Sequence, residues 1–593
     1  MYTVLGRACD VCTPGADNMF TSECQCVRAD GVERGVLTVN RMLPGPSIQV
    51  CQGDRIVVDV KNHMEGMELT LHWHGLWQYG SQYSDGVPYV TQCPIHEGNT
   101  FRYQMEATNE GTHFWHAHTG LQKMDGLYGS LVVRQAPARD VHSSRYDFDL
   151  PHHVCLISDW IHELATERFP GRLEATECHA RGQMPDTLLI NGKGQYQVTA
   201  YNASVKPPLE VFEVTPGKRH RFRMINSMSS VCPMEIIVQG HNLTVIATDG
   251  EPVRPVVVNS IISYSGERYD FIITASLSPP AAYWIQARGL GECATHQVQQ
   301  LAILRYAGAP EQPTTPAPTY SASLPPGIVL NPLDWHCNNS RAICVSQLRN
   351  AKTVTGLGRT PYRAIWLPFR FHVFSAPELF APRTYNKYLV AVNGFHVASL
   401  VAGFSYASPP SPLLSQRNDI PPSQFCSPAT NRNCSSVCPC THVIDVPRQV
   451  LVEVIIIDEV SAPHLNHPFH LHGQVFYVVG MGCAPTSVRN VTAYVRDLQS
   501  RGRLIRQFVD PPAKDTIAVP NNGYVILRFV TDNPGYWMLH CHFLFHVPIG
   551  MVVVIHVGND LLDLPPVPPR FPRCGNFEPP VLECANPYNQ LLT

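Results

Sequence analysis

Hydrophobic residues along the chain come in short alternating or continuous runs that end at glycine, proline or asparagine. Such runs are typical of β-strands, and their close spacing is typical of β-sandwiches and barrels. Helical periodicity is scarce and predicts short helices only at residues 159–169 and 491–498. We therefore expect an all-β protein. The pattern predicts strands at residues 55–60, 100–105, 130–135, 220–225, 269–274, 450–457 and 524–530.

Length and composition indicate several domains. A chain of 593 residues is too long for a single hydrophobic core. Proline-rich stretches and changes in composition suggest where the domains meet. We predict a first domain at 1–150 that includes a cysteine-rich amino-terminal segment, a second at 151–306, a proline-rich linker at 307–360, a third domain at 361–560 and a carboxy-terminal tail at 561–593.

Charge and hydropathy exclude two classes of partner. The net charge is −3 and no basic stripe is present, which argues against a nucleic-acid partner. No run of 18 apolar residues occurs, so we expect no membrane span. The content of 52 prolines with only 15% charged residues favours turns and strands over long surface helices.

Cysteines and glycosylation sequons indicate an oxidising compartment. The chain has 20 cysteines, with clusters at 9–26 and 426–440. Disulfides in a secreted, extracellular protein explain them best, and a zinc knot is the alternative. No apolar signal segment follows Met1, so we expect a mature or trimmed chain rather than a cytosolic protein. Five sequons fit secretion, although we expect Asn242 to be too buried for modification. The sequons begin at Asn202, Asn242, Asn338, Asn433 and Asn490.

Four copies of a His-x-His pattern carry the candidate chemistry. They are His72-Trp73-His74, His116-Ala117-His118, His470-Leu471-His472 and His540-Cys541-His542. Random placement of 27 histidines gives roughly one such pair. Because side chains alternate across a strand, each pair directs two imidazoles to one face, and the Cys541 thiol points the opposite way. The pairs lie only in the first and third predicted domains, so a shared metal cluster requires those domains to touch.

A second donor set surrounds the last pair. Cys541, His546 and one more histidine would form a His₂Cys site with Met551 as a weak axial ligand, which is typical of blue-copper electron-transfer sites. His467 is the candidate third ligand. The alternative for Met551 is core packing, because it begins an apolar run. If Cys541 binds a metal, an odd number of cysteines remains, so at least one other thiol is unpaired.

The donor types favour copper over other metals. The paired histidines include no carboxylate, whereas dizinc and di-iron hydrolase sites normally have bridging carboxylates. Neutral imidazoles suit copper. Eight of them are too many for one ion and enough for two or three.

These motifs resemble the four sequence signatures of the multicopper oxidases. In this chain the matching segments are residues 72–75, 113–118, 467–472 and 540–551. The resemblance implies three cupredoxin-like Greek-key domains of β-sandwich or barrel form and four copper ions, namely one type 1 ion, one type 2 ion and a type 3 pair. It also implies that His72 and His470 bind type 2 copper. It gives type 1 copper the ligands His467, Cys541 and His546, with Met551 axial. The type 3 ligands that it implies are His74, His116, His118, His472, His540 and His542.

A finer resemblance, carried by residues 73–88, 120–126 and 512–522, is to the insect laccases. It implies one-electron oxidation of a small phenolic substrate, a diphenol or catechol, coupled to four-electron reduction of dioxygen to water. Electrons would pass from the type 1 site through Cys541 to its two histidine neighbours. A ferroxidase or an ascorbate oxidase shares every ligand and stays open. Apolar residues flank His467 and His546, whereas a ferroxidase would need acids there, which distant loops could also supply.

Three further positions bear on catalysis. Asp85 matches a family carboxylate that delivers protons beside type 2 copper, and its alternative is an Asp-Gly turn residue. Glu210 lies in the region where laccases place a substrate-binding carboxylate, and its alternative is a solvent-facing strand residue. Leu544 stands where many members have an acid, so protons would need another donor.

Two non-enzymatic functions fit the sequence less well. A non-enzymatic cupredoxin-type structural or adhesion protein would be expected to lose ligands, whereas the full set is present. An oxygen carrier of the hemocyanin kind would leave Cys541 unexplained.

Overall fold

A computed structural model of the protein describes residues 27–168, 184–196, 207–335, 337, 339–375, 397–427, 437–460 and 462–575. The predicted all-β class is confirmed, and the architecture is that of three cupredoxin-like domains. Each predicted strand is found to within a few residues. None of the described helices has the length and apolar character that a membrane crossing needs.

The first domain combines a four-stranded sheet, ordered β1-β6-β5-β3, with the antiparallel two-stranded sheet β2-β4. Its core includes Trp73 and Trp115, which lie on paired strands. The strands are β1 Ile48–Cys51, β2 Arg55–Lys61, β3 Leu71–His74, β4 Thr100–Glu106, β5 Gly111–Ala117 and β6 Tyr128–Arg134.

The second domain packs a six-stranded sheet, ordered β13-β12-β15-β10-β7-β8, against a seven-stranded one, ordered β19-β18-β14-β11-β16-β17-β9. Its core holds Met224, Phe271 and Ile236, all almost fully buried. The strands are β7 Val154–Trp160, β8 Thr187–Ile190, β9 Glu210–Val214, β10 Arg219–Asn226, β11 Met234–Val238, β12 Leu243–Thr248, β13 Glu251–Val258, β14 Ser260–Ser263, β15 Arg268–Thr274, β16 Ala282–Gly289, β17 Gln299–Tyr306, β18 Val329–Leu330 and β19 Ala342–Ile343. Strands β18 and β19 lie within the predicted linker, so part of that segment completes a sheet.

The third domain has sheets ordered β21-β20-β25-β30-β27-β28 and β24-β32-β31-β26-β29, with a small pair β22-β23. Strand β25 (Leu451–Asp458) is buried along its whole length because it lies centrally and is rich in isoleucine and valine. The other strands are β20 Arg363–Val373, β21 Val397–Val401, β22 Ser405–Tyr406, β23 Pro439–Cys440, β24 Val443–Val446, β26 His467–Leu471, β27 Phe476–Cys483, β28 Ala513–Lys514, β29 Thr516–Val519, β30 Gly523–Val530, β31 Gly535–Cys541 and β32 Val552–Val557.

Helices are few among the described residues. The helix predicted at 491–498 is confirmed as α3 (Val491–Ser500). The helix predicted at 159–169 is largely wrong, because β7 extends through Trp160 as a buried strand and only α1 (Ala165–Arg168) follows. Helix α2 spans Leu413–Gln416. Turns of 3₁₀-helix occur at Gln82–Ser84, Gln122–Asp125, Ser143–Arg145, Pro151–His153, Gly291–His296, Leu333–Trp335, Val345–Gln347, Arg417–Asp419, Pro422–Gln424 and Leu544–His546.

Disulfides support the oxidising-compartment prediction. The described bonds are Cys93–Cys574, Cys232–Cys293, Cys337–Cys344 and Cys426–Cys440. The last bond joins two members of the 426–440 cluster, as a disulfide reading expects, whereas the 9–26 cluster lies outside the described residues. Besides Cys541, the described cysteines without a disulfide are Cys51, Cys155 and Cys483. This confirms the prediction that at least one thiol other than Cys541 is unpaired.

Two sequon positions are described, and both are exposed. Asn242 precedes β12 and is exposed, so the expectation that it is buried is wrong. The apolar strand pattern around it begins only at Leu243. Asn490 precedes α3 and is exposed as well. The sequons at 202, 338 and 433 lie outside the described residues.

Candidate metal centre

The eight paired histidines converge where the first and third domains meet. Strand register sets them side by side, because His72 lies opposite His116 and His470 lies opposite His540. Across the domain boundary, the His72 and His472 rings are 3.8 Å apart between centroids, and the His74 and His470 rings are 3.7 Å apart. The predicted contact between these two domains is therefore present.

Several ring nitrogens at the centre have no hydrogen bond to the protein. The Nε2 atoms of His116, His118 and His542 are buried with no hydrogen-bond partner. Other rings face each other, with Nε2 atoms of His472 and His540 only 3.1 Å apart. An unpartnered buried nitrogen is costly unless something else coordinates it. Candidate donor groups, each with its ligand atoms within 4.8 Å of one another, are His72, His470 and His472; His72, His74 and His116; His118, His472 and His540; and His74, His470 and Asp515.

Burial favours the neutral form of several of these imidazoles, which is the form that binds metals. It lowers the pKa of His118 to about 3. It also lowers the pKa values of His116, His540 and His542 well below the usual range, helped by neighbouring histidines or by Lys123. An all-imidazole donor set of this kind fits copper.

Asp85 lies beside the cluster, as its resemblance-based role requires. Its Oδ2 accepts from His472 Nδ1 at 3.0 Å, and its backbone carbonyl oxygen lies 2.7 Å from His72 Nδ1. Burial alone would raise the pKa of Asp85, but the facing His472 and His72 outweigh it and hold that pKa below its usual range. The carboxylate thus fixes which nitrogen of His472 faces the centre.

Asp515 is a site residue that the sequence analysis missed. Its Oδ1 lies 3.2 Å from His74 Nε2, and its carbonyl oxygen lies 3.0 Å from His470 Nδ1. Arg268 of the second domain binds both carboxylate oxygens, with Nη1 to Oδ1 at 2.6 Å and Nη2 to Oδ2 at 2.5 Å. Asp515 belongs to the 512–522 stretch that carried the laccase resemblance. That resemblance was the sequence feature that could have identified Asp515 as a site residue.

His542 has two polar neighbours that the sequence analysis also missed. Ser265 Oγ lies 2.8 Å from His542 Nδ1. Lys123 Nζ donates to the Met228 carbonyl at 2.9 Å and lies 3.5 Å from the same ring nitrogen. Burial lowers the pKa of Lys123 to about 7. Leu544, in the acid position of many relatives, is covered by the second domain, since its N–H donates to the Ser229 carbonyl at 2.8 Å.

The second donor set assembles on the opposite face of β31. Cys541 is fully buried, and its Sγ lies 3.4 Å from His546 Nδ1. The His467 ring centre lies 5.2 Å from that of His546. Met551 is fully buried, and its N–H donates to the His546 carbonyl at 3.0 Å. Burial raises the pKa of the Cys541 thiol, so thiolate formation at neutral pH needs a metal ion or a similar charge.

An acid does lie next to this set, supplied by a more distant part of the chain and not by the residues that flank the histidines. Asp458, at the end of β25, is fully buried, and its Oδ2 lies 3.1 Å from His467 Nδ1. Asp458 lies nine residues upstream of His467, and its strand belongs to the other sheet of the domain, so packing between the two sheets brings the carboxylate to the ring. Aromatic rings complete the surroundings, with Phe371 5.1 Å and Phe543 5.5 Å from His546 between ring centres.

Glu210 lies in a different environment from the one its candidate role requires. It begins β9, where its carboxylate pairs with Lys193 at 2.5 Å and accepts from Asn191 at 3.1 Å. Within the described part of the chain, no hydrogen bond or ion pair joins Glu210 to His467, Cys541 or His546. Its side chain is only 13% exposed, so Glu210 is an ion-paired strand residue but does not face solvent as the alternative expected.

Comparisons with known proteins agree with this centre. The chain is similar to an L-ascorbate oxidase of Brassica rapa subsp. pekinensis, 31% identical over 92% of each chain. It is also similar to a laccase of Trametes maxima, 32% identical over 91% of this chain and 93% of the other. The fold matches the laccase from Botrytis aclada, with TM-score 0.66, 24% identity and coverage of 91% and 86%. It also matches Fet3p, a multicopper oxidase that functions in iron import, with TM-score 0.64, 21% identity and coverage of 89% and 88%.

Models of one family cover most of the chain. Those described as multicopper oxidase match residues 21–138, 152–309 and 406–560. Together with the histidine clusters, they make copper the cofactor, in the four-ion type 1, type 2 and type 3 arrangement that is standard for the family. The chain belongs to the multicopper oxidases.

Proposed function

We propose that the protein is a laccase-type oxidase that couples one-electron oxidation of diphenols or catechols to four-electron reduction of dioxygen to water. The observation that carries the proposal is the short connection between the two donor sets. Cys541 lies in one set, and its chain neighbours His540 and His542 lie in the other. Strand alternation alone produces this, because successive residues face opposite sides of β31.

The ligand assignment is the one that the family resemblance implies, and the clustered ring nitrogens support it. His72 and His470, whose Nε2 atoms face each other at 3.4 Å, would hold type 2 copper. Cys541, His467 and His546 would hold type 1 copper, with Met551 axial. When bound, copper would take single electrons from the donor at the Cys541 site and supply them to dioxygen at the histidine cluster. The type 3 pair would be held by His74, His116, His118, His472, His540 and His542.

Aromatic surroundings of His546 support a phenolic donor. Phe371 is partly buried against the third-domain core, and it offers an apolar ring next to His546 on which an aromatic substrate can stack. Asp458 is fully buried and engaged by His467, so it offers no exposed carboxylate for Fe²⁺. Phenol oxidation therefore fits the described surroundings better than iron oxidation does.

Asp85 is the residue that we assign to proton handling at the cluster. It is fully buried and contacts His472 and His72, so its carboxylate can relay protons close to where dioxygen would be reduced. We also infer a secreted protein of the insect-laccase type, supported by the disulfides and by the place of Asp85 and Asp515 within the stretches that carry that resemblance.

Rates with three donors test the substrate assignment. Copper-loaded protein is supplied with a catechol, ascorbate or Fe²⁺, and oxygen uptake is recorded under the same conditions. We expect the highest kcat/KM with the catechol. A higher value with Fe²⁺ would make the protein a ferroxidase, and a higher value with ascorbate an ascorbate oxidase.

Replacement of the central thiol tests the connection between the sites. Cys541→Ser should abolish the intense visible absorption and the oxidation of every donor, because the hydroxyl cannot replace the thiolate. Cys155→Ser is the matched control, since Cys155 is also unpaired and buried but lies in the second domain. Full turnover by Cys541→Ser would refute the proposed electron route.

A further inference from the structure

One turn of the copper-free second domain reaches the histidine cluster. This turn, residues 264–268, joins β14 to β15 and is almost completely buried, with Ser265, Glu267 and Arg268 each at 0% exposure. The predicted and family-implied ligands all lie in the other two domains. Any influence of the second domain on the cluster would therefore act through this turn.

At its start, the turn holds His542 from two sides. Ser265 Oγ lies 2.8 Å from Nδ1 of His542 and 3.1 Å from its carbonyl oxygen. Gly266 follows with φ +88°, and a Cβ on it would lie 3.0 Å from the His542 ring. Only glycine allows both this conformation and this close approach. The ring is thus fixed with its other nitrogen, Nε2, directed away from the turn and free of partners.

At its end, the turn reaches two more cluster histidines through Asp515. Arg268 binds both oxygens of Asp515, and Asp515 contacts His74 and His470. Arg268 is itself held by the backbone of the first domain, since its Nε donates to the Thr112 carbonyl at 3.0 Å. A planar guanidinium paired with a carboxylate at two points fixes orientation as well as distance.

We infer that this turn of the second domain positions the cluster, with Ser265 orienting His542 and Arg268 orienting His470 and His74 through Asp515. Both are positioning residues, because neither offers an atom to the centre itself. The inference rests on the copper ligands proposed above. It assigns the copper-free domain a defined part in cluster assembly.

Two substitutions with matched controls test it. Ser265→Ala removes the hydroxyl from His542, and Ser263→Ala removes an equally buried hydroxyl on β14. Arg268→Lys keeps the charge but loses the two-point contact. Arg223→Lys does the same to a buried arginine of the same domain, which pairs with Asp149. The measurements are copper content, the visible band of type 1 copper and the electron paramagnetic resonance spectrum of type 2 copper.

We expect Ser265→Ala and Arg268→Lys to lower cluster affinity for copper about 10- to 100-fold, as loss of a ligand-orienting partner typically does. Arg268→Lys should also alter the type 2 spectrum, because His470 is released. The type 1 band should stay unchanged in both, and both controls should match the unaltered protein.

Three results would overturn the inference. One is unchanged copper content and spectra in both variants. Another is equal change in the controls. The third is simultaneous loss of the type 1 band, which would show that the turn supports the whole fold rather than the cluster. If the unaltered protein failed to bind copper at both sites, the proposed function itself would fail, and this outcome is distinguishable because it needs no variant.

Discussion

Each His-x-His pair specifies which side chains face the centre, but the partner of each ring specifies which nitrogen does. Asp85 engages Nδ1 of His472 and leaves Nε2 toward the centre. His74 is turned the other way, because Asp515 contacts its Nε2 and leaves Nδ1 without a partner. Ligand residues were therefore predictable from sequence spacing, whereas ring orientation depends on residues hundreds of positions away.

Asp85→Asn provides the prediction at this scale. The amide keeps the shape of the side chain but removes its negative charge and its capacity to carry a proton to the cluster. We expect turnover with a catechol to fall about 10- to 100-fold. Reduction of the type 1 site by the donor without oxygen should keep its rate, because Asp85 lies only beside the cluster. Stopped-flow recording of the visible band, before and after oxygen is added, separates the two steps.

The control is Asp59→Asn, which alters an exposed carboxylate of the same domain that pairs with Arg102. This protein should behave like the unaltered one. Slower reduction of the type 1 site in Asp85→Asn, or undiminished turnover, would contradict the proposed role.

At the scale of elements, the sequence predicted strands well because apolar runs and turn residues are local signals. Strand β25 is an example, with eight buried residues in a row. The helix predicted at 159–169 was found only at Ala165–Arg168. The first two residues of that range end strand β7, which lies between two other strands and is apolar and buried, and periodicity alone does not separate such a strand from a helix. Asp458 was missed because its strand lies in a different sheet from that of His467, so packing between the two sheets, and not residue spacing, brings the side chains together.

Helix α3 gives a prediction about local stability. Asn490 caps its first turn, since Oδ1 accepts from the Ala493 N–H at 2.7 Å. Asn490→Ala should destabilise the helix by about 1 kcal/mol, which corresponds to roughly fivefold faster hydrogen exchange of its amides. Hydrogen-exchange mass spectrometry of peptides from α3 measures this directly.

Asn490 also begins a sequon, so the cap must be separated from glycosylation. Asn490→Asp keeps an accepting oxygen and removes the sequon, and Thr492→Ala removes the sequon and keeps the cap. Both should exchange at the rate of the unaltered protein. Fast exchange in Thr492→Ala would attribute the effect to the glycan instead of the cap.

At the scale of the whole molecule, the two copper sites depend differently on how the domains are joined. The Cys541 set lies within the third domain, whereas the histidine cluster needs the first and third domains together. The tail crosses this boundary. Cys574 is bonded to Cys93 of the first domain, and its carbonyl accepts from Gln416 of the third at 2.7 Å. Next to this bond, the Phe571 ring packs 5.1 Å from Tyr83 between centroids.

The tail therefore links the first domain to the third. Breaking its disulfide should lower the thermal stability of the histidine cluster more than that of the Cys541 site. Replacing Cys93 and Cys574 by alanine opens a connection between residues 481 positions apart and should cost about 2–4 kcal/mol. On heating, the type 2 signal should disappear at a lower temperature than in the unaltered protein, by roughly 2–4 °C for each kcal/mol lost. The type 1 band should disappear at nearly the same temperature as in the unaltered protein, because its ligands all lie in the third domain. The control replaces Cys337 and Cys344, which are only seven positions apart. It should leave the temperatures at which the type 2 signal and the type 1 band disappear unchanged. If both signals shifted together, the tail would be stabilising the third domain and not its contact with the first.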